Sequence, residues 1–208
     1  IYQAIAALPL PKRNKSGNPI FLTARSFDIN RPGTKPENLH GAVLGGTIKQ
    51  GILRIGDEIE IRPGRIIKEA NQYHYKTVMT RIVKLFRGSE EFSELGPGGS
   101  ISIETGLDMY LGKGDALAGC VVSKPGTLPE VKTILKIKYE LFPEVFGVSG
   151  NAKVEPIKSP EMLMLSVNTS MTVGVVKKVE KNIIELSLKI PIVPYKGDNL
   201  GIARNFNN

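Results

Sequence analysis

The chain of 208 residues has no tryptophan, one cysteine, two histidines and an aromatic fraction of only 6%. A lone cysteine forms no internal disulfide. Cys120 sits in the apolar run Ala118–Val122, which reads as a buried, inert thiol. That pattern fits a reducing compartment, most simply the cytoplasm. Few aromatic rings exclude a stacking platform for single-stranded nucleic acid, which needs several on one face. With His40 and His74 in polar, loop-like surroundings, both are expected at the surface, and neither Cys-x-x-Cys nor His-Glu-x-x-His spacing occurs, so no metal site is expected. No apolar run reaches the ~18–20 residues of a membrane helix. Ile1–Leu10 is apolar but lacks the basic flank of a signal peptide.

A phosphate-binding loop of the form Gly-x-x-x-x-Gly-Lys-Ser/Thr is also missing. Gly112-Lys113-Gly114-Asp115 superficially resembles one, but it leads into a β-type run instead of a helix. The carboxylates Glu58 and Glu60 share one face of an alternating run and are expected in solvent, not as an acid–base pair. Binding is therefore expected of this chain, not catalysis.

What is present is charge and glycine. Lys and Arg total 28 against 20 for Asp and Glu, a formal net charge of +8, which suits a polyanion such as RNA. The excess is evenly spread: residues 1–123 carry 16 basic and 12 acidic side chains, residues 124–208 carry 12 and 8. No charged arm serves as the binding device.

Short β-type runs separated by Gly and Pro dominate. Strands are predicted at Ile20–Phe27, Gly41–Ile48, Glu58–Arg62, Lys76–Phe86, Ser100–Thr105 and Ala116–Val122. A second series follows at Thr133–Leu141, Met162–Ser170, Thr172–Val179, Ile183–Leu188 and Leu200–Ala203. Their two-residue alternation, as in Glu58-Ile59-Glu60-Ile61-Arg62, fits strands with one face on a core. Turn signals include Arg62-Pro63-Gly64 and Gly96-Pro97-Gly98-Gly99. The expected class is all-β, with small barrels or sandwiches. Only the first ten residues look helical, either a stub of a helix or a frayed end, and Pro9 and Pro11 end the run. Ser123–Pro129 reads as a stiff connection between two domains, with a loop inside one sandwich as the alternative.

Gly41-Ala42-Val43-Leu44-Gly45-Gly46-Thr47-Ile48, followed by Gly51 and Gly56-Asp57-Glu58, reads as strand, turn and strand, with glycines for turns and close backbone approach. The segment resembles the second-domain barrel of translational GTPases, including elongation factor Tu. With Arg25-Ser26-Phe27-Asp28-Ile29-Asn30-Arg31-Pro32-Gly33, Ile59–Gly64, Gly96–Gly99, Ala118-Gly119, Leu128-Pro129 and Glu161–Asn168, the chain is similar to the gamma subunit of translation initiation factor 2.

That resemblance implies two consecutive β-barrels after a GTP-binding domain: residues 1–19 as helix tail and linker, 20–123 as the second domain, and 124–208 as the third. In the family the whole subunit delivers initiator methionyl-tRNA to the small ribosomal subunit, using GTP and Mg held by the domain this chain lacks. The resemblance therefore implies no cofactor and no GTPase activity for these residues alone. It places the tRNA 3′ end beside Gly41, Val43, Gly46, Val83, Lys84, Leu85 and Arg87, and the alpha subunit on the second domain. The beta subunit docks on the GTP-binding domain, outside these residues. Rival readings are a scaffold mainly for the alpha subunit, and barrels of a selenocysteine-specific or Tu-type elongation factor. Two departures stand out. Glu140–Phe146 lacks the family's basic, leucine-rich stretch, and without the usual tryptophan-containing last strand the third barrel is expected to expose an edge.

Overall fold

Alternating apolar residues in runs too short for helices pair here as antiparallel strands. The computed structural model describes residues 1–9, 11–70, 72–145 and 153–204; Leu10 of the expected helix and Phe146 of the departing stretch lie outside them. The chain divides into two units, Ile1–Leu128 and Pro129–Asn208.

The first unit opens with α1 (Tyr2–Ala6), exposed along its length. Nine strands follow: β1 (Ile20–Phe27), β2 (Val43–Gln50), β3 (Leu53–Arg54), β4 (Glu58–Glu69), β5 (Gln72–Arg87), β6 (Glu90–Phe92), β7 (Glu94–Leu95), β8 (Ile101–Thr105) and β9 (Val121–Ser123). Seven of them run in the order β4-β9-β1-β2-β8-β5-β6, while β3 pairs with β7; β4 also pairs with β5, which closes six strands into a barrel. Inside it, Phe21, Leu44, Ile59, Ile61, Ile82, Leu85 and Ile103 lose all or nearly all solvent contact. Full burial of such side chains is worth about 1.5–3 kcal/mol each. Cys120 lies in the same core, and burial pushes its thiol up to about 11.

The second unit has five strands: β10 (Lys132–Lys138), β11 (Met162–Val167), β12 (Ser170–Glu180), β13 (Ile183–Ile192) and β14 (Leu200–Ala203). Their order is β10-β13-β12-β11-β14, all pairs antiparallel. Leu163, Leu165, Val176, Ile184 and Leu186 form its core. The outer edges of β10 and β14 have no strand partner among the described residues. They border a groove of about 1070 Å³ lined by Leu135, Ile137, Tyr139, Leu200 and Ile202, among others.

Strands β1 and β14 fall where the alternation predicted them. Three differences have physical causes. Arg62-Pro63-Gly64, read as a turn, is instead an irregularity inside β4: the register with β5 slips between Ile61 and Arg65, which removes the demand on the missing proline amide. Of the predicted strand Ala116–Val122 only the end pairs. The segment before it forms a 3-10 turn, Met109–Asp115. Glu60, expected in solvent, is buried because Lys124–Leu128 folds back over it. Its carboxylate accepts from Arg62 Nε at 2.6 Å and from the Gly126 amide at 2.8 Å.

At Gly46 the strands leave no room for a side chain. A Cβ there would lie 2.0 Å from the Leu22 carbonyl oxygen and 2.9 Å from Phe21 Cζ, whereas at Gly45 the nearest atom is 3.5 Å away. Gly46→Ala is expected to cost about 3 kcal/mol by overpacking, and Gly45→Ala less than about 1 kcal/mol. Urea midpoints of the two variants check this; equal losses would contradict the close-approach account.

Candidate nucleic-acid interface

The Arg25–Gly33 motif is an anchoring segment. Asp115 receives Arg25 Nε at 2.9 Å and the Ser26 amide at 3.0 Å, while Ser26 Oγ accepts from the Leu117 amide at 2.9 Å. These bonds tie the end of β1 to the 3-10 turn. Further along, Asp28 Oδ1 accepts from the Asn30 amide at 2.8 Å and from Asn30 Nδ2 at 2.7 Å. Asn30 in turn grips the backbone of His40 on both sides: its Oδ1 accepts the His40 amide and its Nδ2 donates to the His40 carbonyl, each at 2.8 Å. One short side chain thus fixes the loop leading into β2.

That loop walls a cleft of about 390 Å³, which Leu39, His40 and Gly41 form with Val83 of β5 and the stretch Glu104–Met109. Gly41 is pressed against β8, where a Cβ would lie 1.9 Å from the Thr105 carbonyl oxygen. The Thr105 hydroxyl is engaged by the Ala42 carbonyl at 2.7 Å. Opposite, the β5–β8 register slips between Ile82 and Lys84. This bulge turns Val83 outward into the cleft and leaves Lys84 facing Glu104 in the register.

Among the residues singled out in the sequence, Gly41 and Val83 come together in the cleft, with Lys84 at its side. Leu85 is buried in the barrel core, Val43 is buried outside that cluster on the other face of β2 from Leu44, and Gly46 abuts β1. Arg87 lies at the end of β5, where its Nη2 donates to the Gly96 carbonyl at 3.2 Å and its guanidinium sits 5.9 Å from the Phe92 ring centroid. His40, expected as a plain surface histidine, instead meets Glu104: Nδ1 and Oε1 are 2.8 Å apart. Sequence reasoning passed over Glu104, whose place in Ile101-Ser102-Ile103-Glu104 is an outward one; the His40 loop buries it. Among the described residues no His, Cys, Asp and Glu gather in a group of three or more fit for a metal ion. Nor is any described helix long and apolar enough to cross a membrane.

With this geometry in place, the relatives become informative. Residues 133–208 match the family described as initiation factor eIF2 gamma, C terminal. The translation initiation factor 2 subunit gamma of Pyrococcus furiosus is 46% identical over 201 residues, covering 97% of this chain and 49% of that protein. Its counterparts from Thermococcus onnurineus and Methanocaldococcus jannaschii are 47% and 44% identical over 197 residues, 95% of this chain and 48% of theirs. Over nearly its whole length the chain is similar to the gamma subunit of translation initiation factor 2. It spans about half the length of the curated gamma subunits it matches. A bacterial selenocysteine-specific elongation factor shares the fold, with a TM-score of 0.67 over 100% of this chain and 29% of its own, at 19% identity. That likeness speaks to architecture alone, and the sequence identities favour the gamma subunit over the elongation-factor readings.

The anchoring bonds are expected to make the first unit acid-sensitive. Asp115 sits below the ordinary value of 3.8 because Arg25 and then the Ser26 amide bond its carboxylate; Asp28 does so because of the amide and side chain of Asn30. Groups whose folded values are depressed contribute stability that is complete above 3.8 and lost as pH falls through the folded values. Urea midpoints of the first unit should therefore drop between pH 5 and pH 3 (about the carboxylate range), and Asp115→Asn should flatten the drop. An unchanged slope in that variant would rule out the assignment.

Proposed function

We propose that the chain holds the aminoacylated 3′ end of initiator methionyl-tRNA in the cleft of its first barrel and so serves initiation at the small ribosomal subunit. One observation carries this reading. Gly41 and Val83, both assigned to the tRNA end by resemblance, come from segments remote in sequence and line one cleft whose size is that of small-ligand sites, about 300–1,000 Å³. Leu39, Val83, Leu107 and Met109 give it apolar surface for a base. Glu104 and Asp108 make its polar wall acidic, which disfavours phosphate and suits a terminal nucleoside. Lys84, beside the cleft and without an ion pair among the described residues, is placed for the phosphate that precedes that nucleoside.

In this reading the chain acts by binding, in the cytoplasm. GTP with Mg, and the beta subunit, belong to the remaining half of the relatives' length. The alpha subunit docks on the first barrel.

Fluorescence anisotropy with initiator methionyl-tRNA tests the reading. Binding should weaken steeply with salt through counterion release, and removing the terminal adenosine should weaken it at every salt concentration. Val83→Glu, which adds a carboxylate at the cleft, should cost about tenfold in affinity with the thermal midpoint unchanged, since Val83 is half exposed. Binding indifferent to the terminal adenosine sinks the proposal.

A further inference from the structure

The polar wall of the cleft holds a preset hydrogen-bond acceptor. The Glu104 side chain is only 7% exposed, while that of His40 is 44% exposed, and Nδ1 and Oε1 lie 2.8 Å apart. An ionised carboxylate only accepts hydrogen bonds, so in the neutral imidazole the contact places the ring proton on Nδ1 and leaves a lone pair on Nε2. His40 lines the cleft; Glu104 holds its ring, and its backbone has little freedom to move. Asn30 clamps the His40 amide and carbonyl, and Gly41 is wedged against the Thr105 carbonyl. An acceptor oriented in advance loses little freedom on binding and therefore discriminates well.

Other uses of such a ring lack partners. Metal binding needs further ligands, and among the described residues no cluster supplies them. A hydroxyl in the cleft lining, Thr105 Oγ1, already donates to the Ala42 carbonyl. Phosphate is disfavoured by Glu104 and by Asp108, whose Oδ1 accepts the Tyr110 amide at 2.8 Å. A neutral ligand group that donates a proton fits best. On a nucleoside seated in this cleft, the ribose hydroxyl is that group.

We infer that His40, positioned by Glu104, is a specificity-determining residue that accepts a hydrogen bond from the 2′-hydroxyl of the nucleoside in the cleft, and so favours a ribonucleotide terminus over a deoxyribonucleotide one. This rests on the cleft being the nucleoside site. The 2′-hydroxyl stays free when the 3′ oxygen carries the aminoacyl ester, so the contact is compatible with an aminoacylated end. A 2′-deoxy terminus leaves Nε2 unpaired, and the loss of one such bond corresponds to about three- to tenfold in affinity.

The test uses 5′-labelled RNA hairpins ending in CCA whose last sugar is ribose, 2′-deoxyribose or 2′-fluororibose. The fluoro sugar is close in size to the parent but donates no proton. The wild-type chain should bind the ribose end about three- to tenfold more tightly than either analogue. His40→Phe should abolish the difference between the ribose and deoxy ends, so that the two bind alike. His40→Gln, which keeps an acceptor, should restore part of the preference. Glu104→Gln, which lets the imidazole proton move to Nε2, should also narrow the ratio. Equal binding of ribose and fluoro ends by the wild type overturns the role of His40 without needing any variant, as does a preference that survives in His40→Phe. Failure of the wild type to bind any of the hairpins overturns the nucleoside reading of the cleft, and this inference with it.

Discussion

Closure of the first barrel depends on β4, which pairs with β9 along one edge and with β5 along the other. Closing a sheet removes its edges, so nearly every backbone donor and acceptor in the wall is consumed internally. It also fixes neighbours. Because β8 lies between β2 and β5, the loop entering β2 and the bulge of β5 must face each other across the end of β8. The cleft is therefore a product of strand order, and the tight contact of Gly41 with Thr105 is what keeps its mouth narrow.

Charge is handled inside this wall by pairing. Glu60, nearly buried, has one oxygen on Arg62 and the other on the Gly126 amide, while Arg62 Nη1 reaches the Leu128 carbonyl at 3.1 Å. Burying such a pair does little for net stability, because desolvation offsets the attraction. Its effect is positional: the first residues of the connection lie where the pair needs them. Glu104 and His40 follow the same logic on β8, with one difference. Their pair is open on the imidazole side, where a ligand can meet it.

Period-two alternation made most of the architecture legible, and the glycines at 41 and 46 announced close approaches that the structure contains. What stayed hidden has a common cause. Glu60 and Glu104 occupy outward positions of their strands, and each is buried by a segment distant in the chain, Lys124–Leu128 in one case and Leu39–Gly41 in the other. Alternation reports the face of a strand and is silent about what later covers it. The short strands β3, β6 and β7 escaped for a related reason, since two or three residues carry no period. The meeting of Gly41 with Val83 was legible only through family resemblance.

The bulge at Val83 carries a consequence for parity. Before it, core residues of β5 fall on even numbers, Val78 and Ile82; after it, the next is Leu85, on an odd one. The strand is thus two half-strands of opposite phase joined at a dislocation. Straightening the strand with every residue kept would rotate everything downstream by half a turn, sending Leu85 to solvent and Phe86 toward the interior, whereas deleting one residue would heal the pairing and leave Leu85 inside. In this barrel the extra residue is what lets Leu85, three places after Ile82, share its inward face while Val83 is turned out to the cleft.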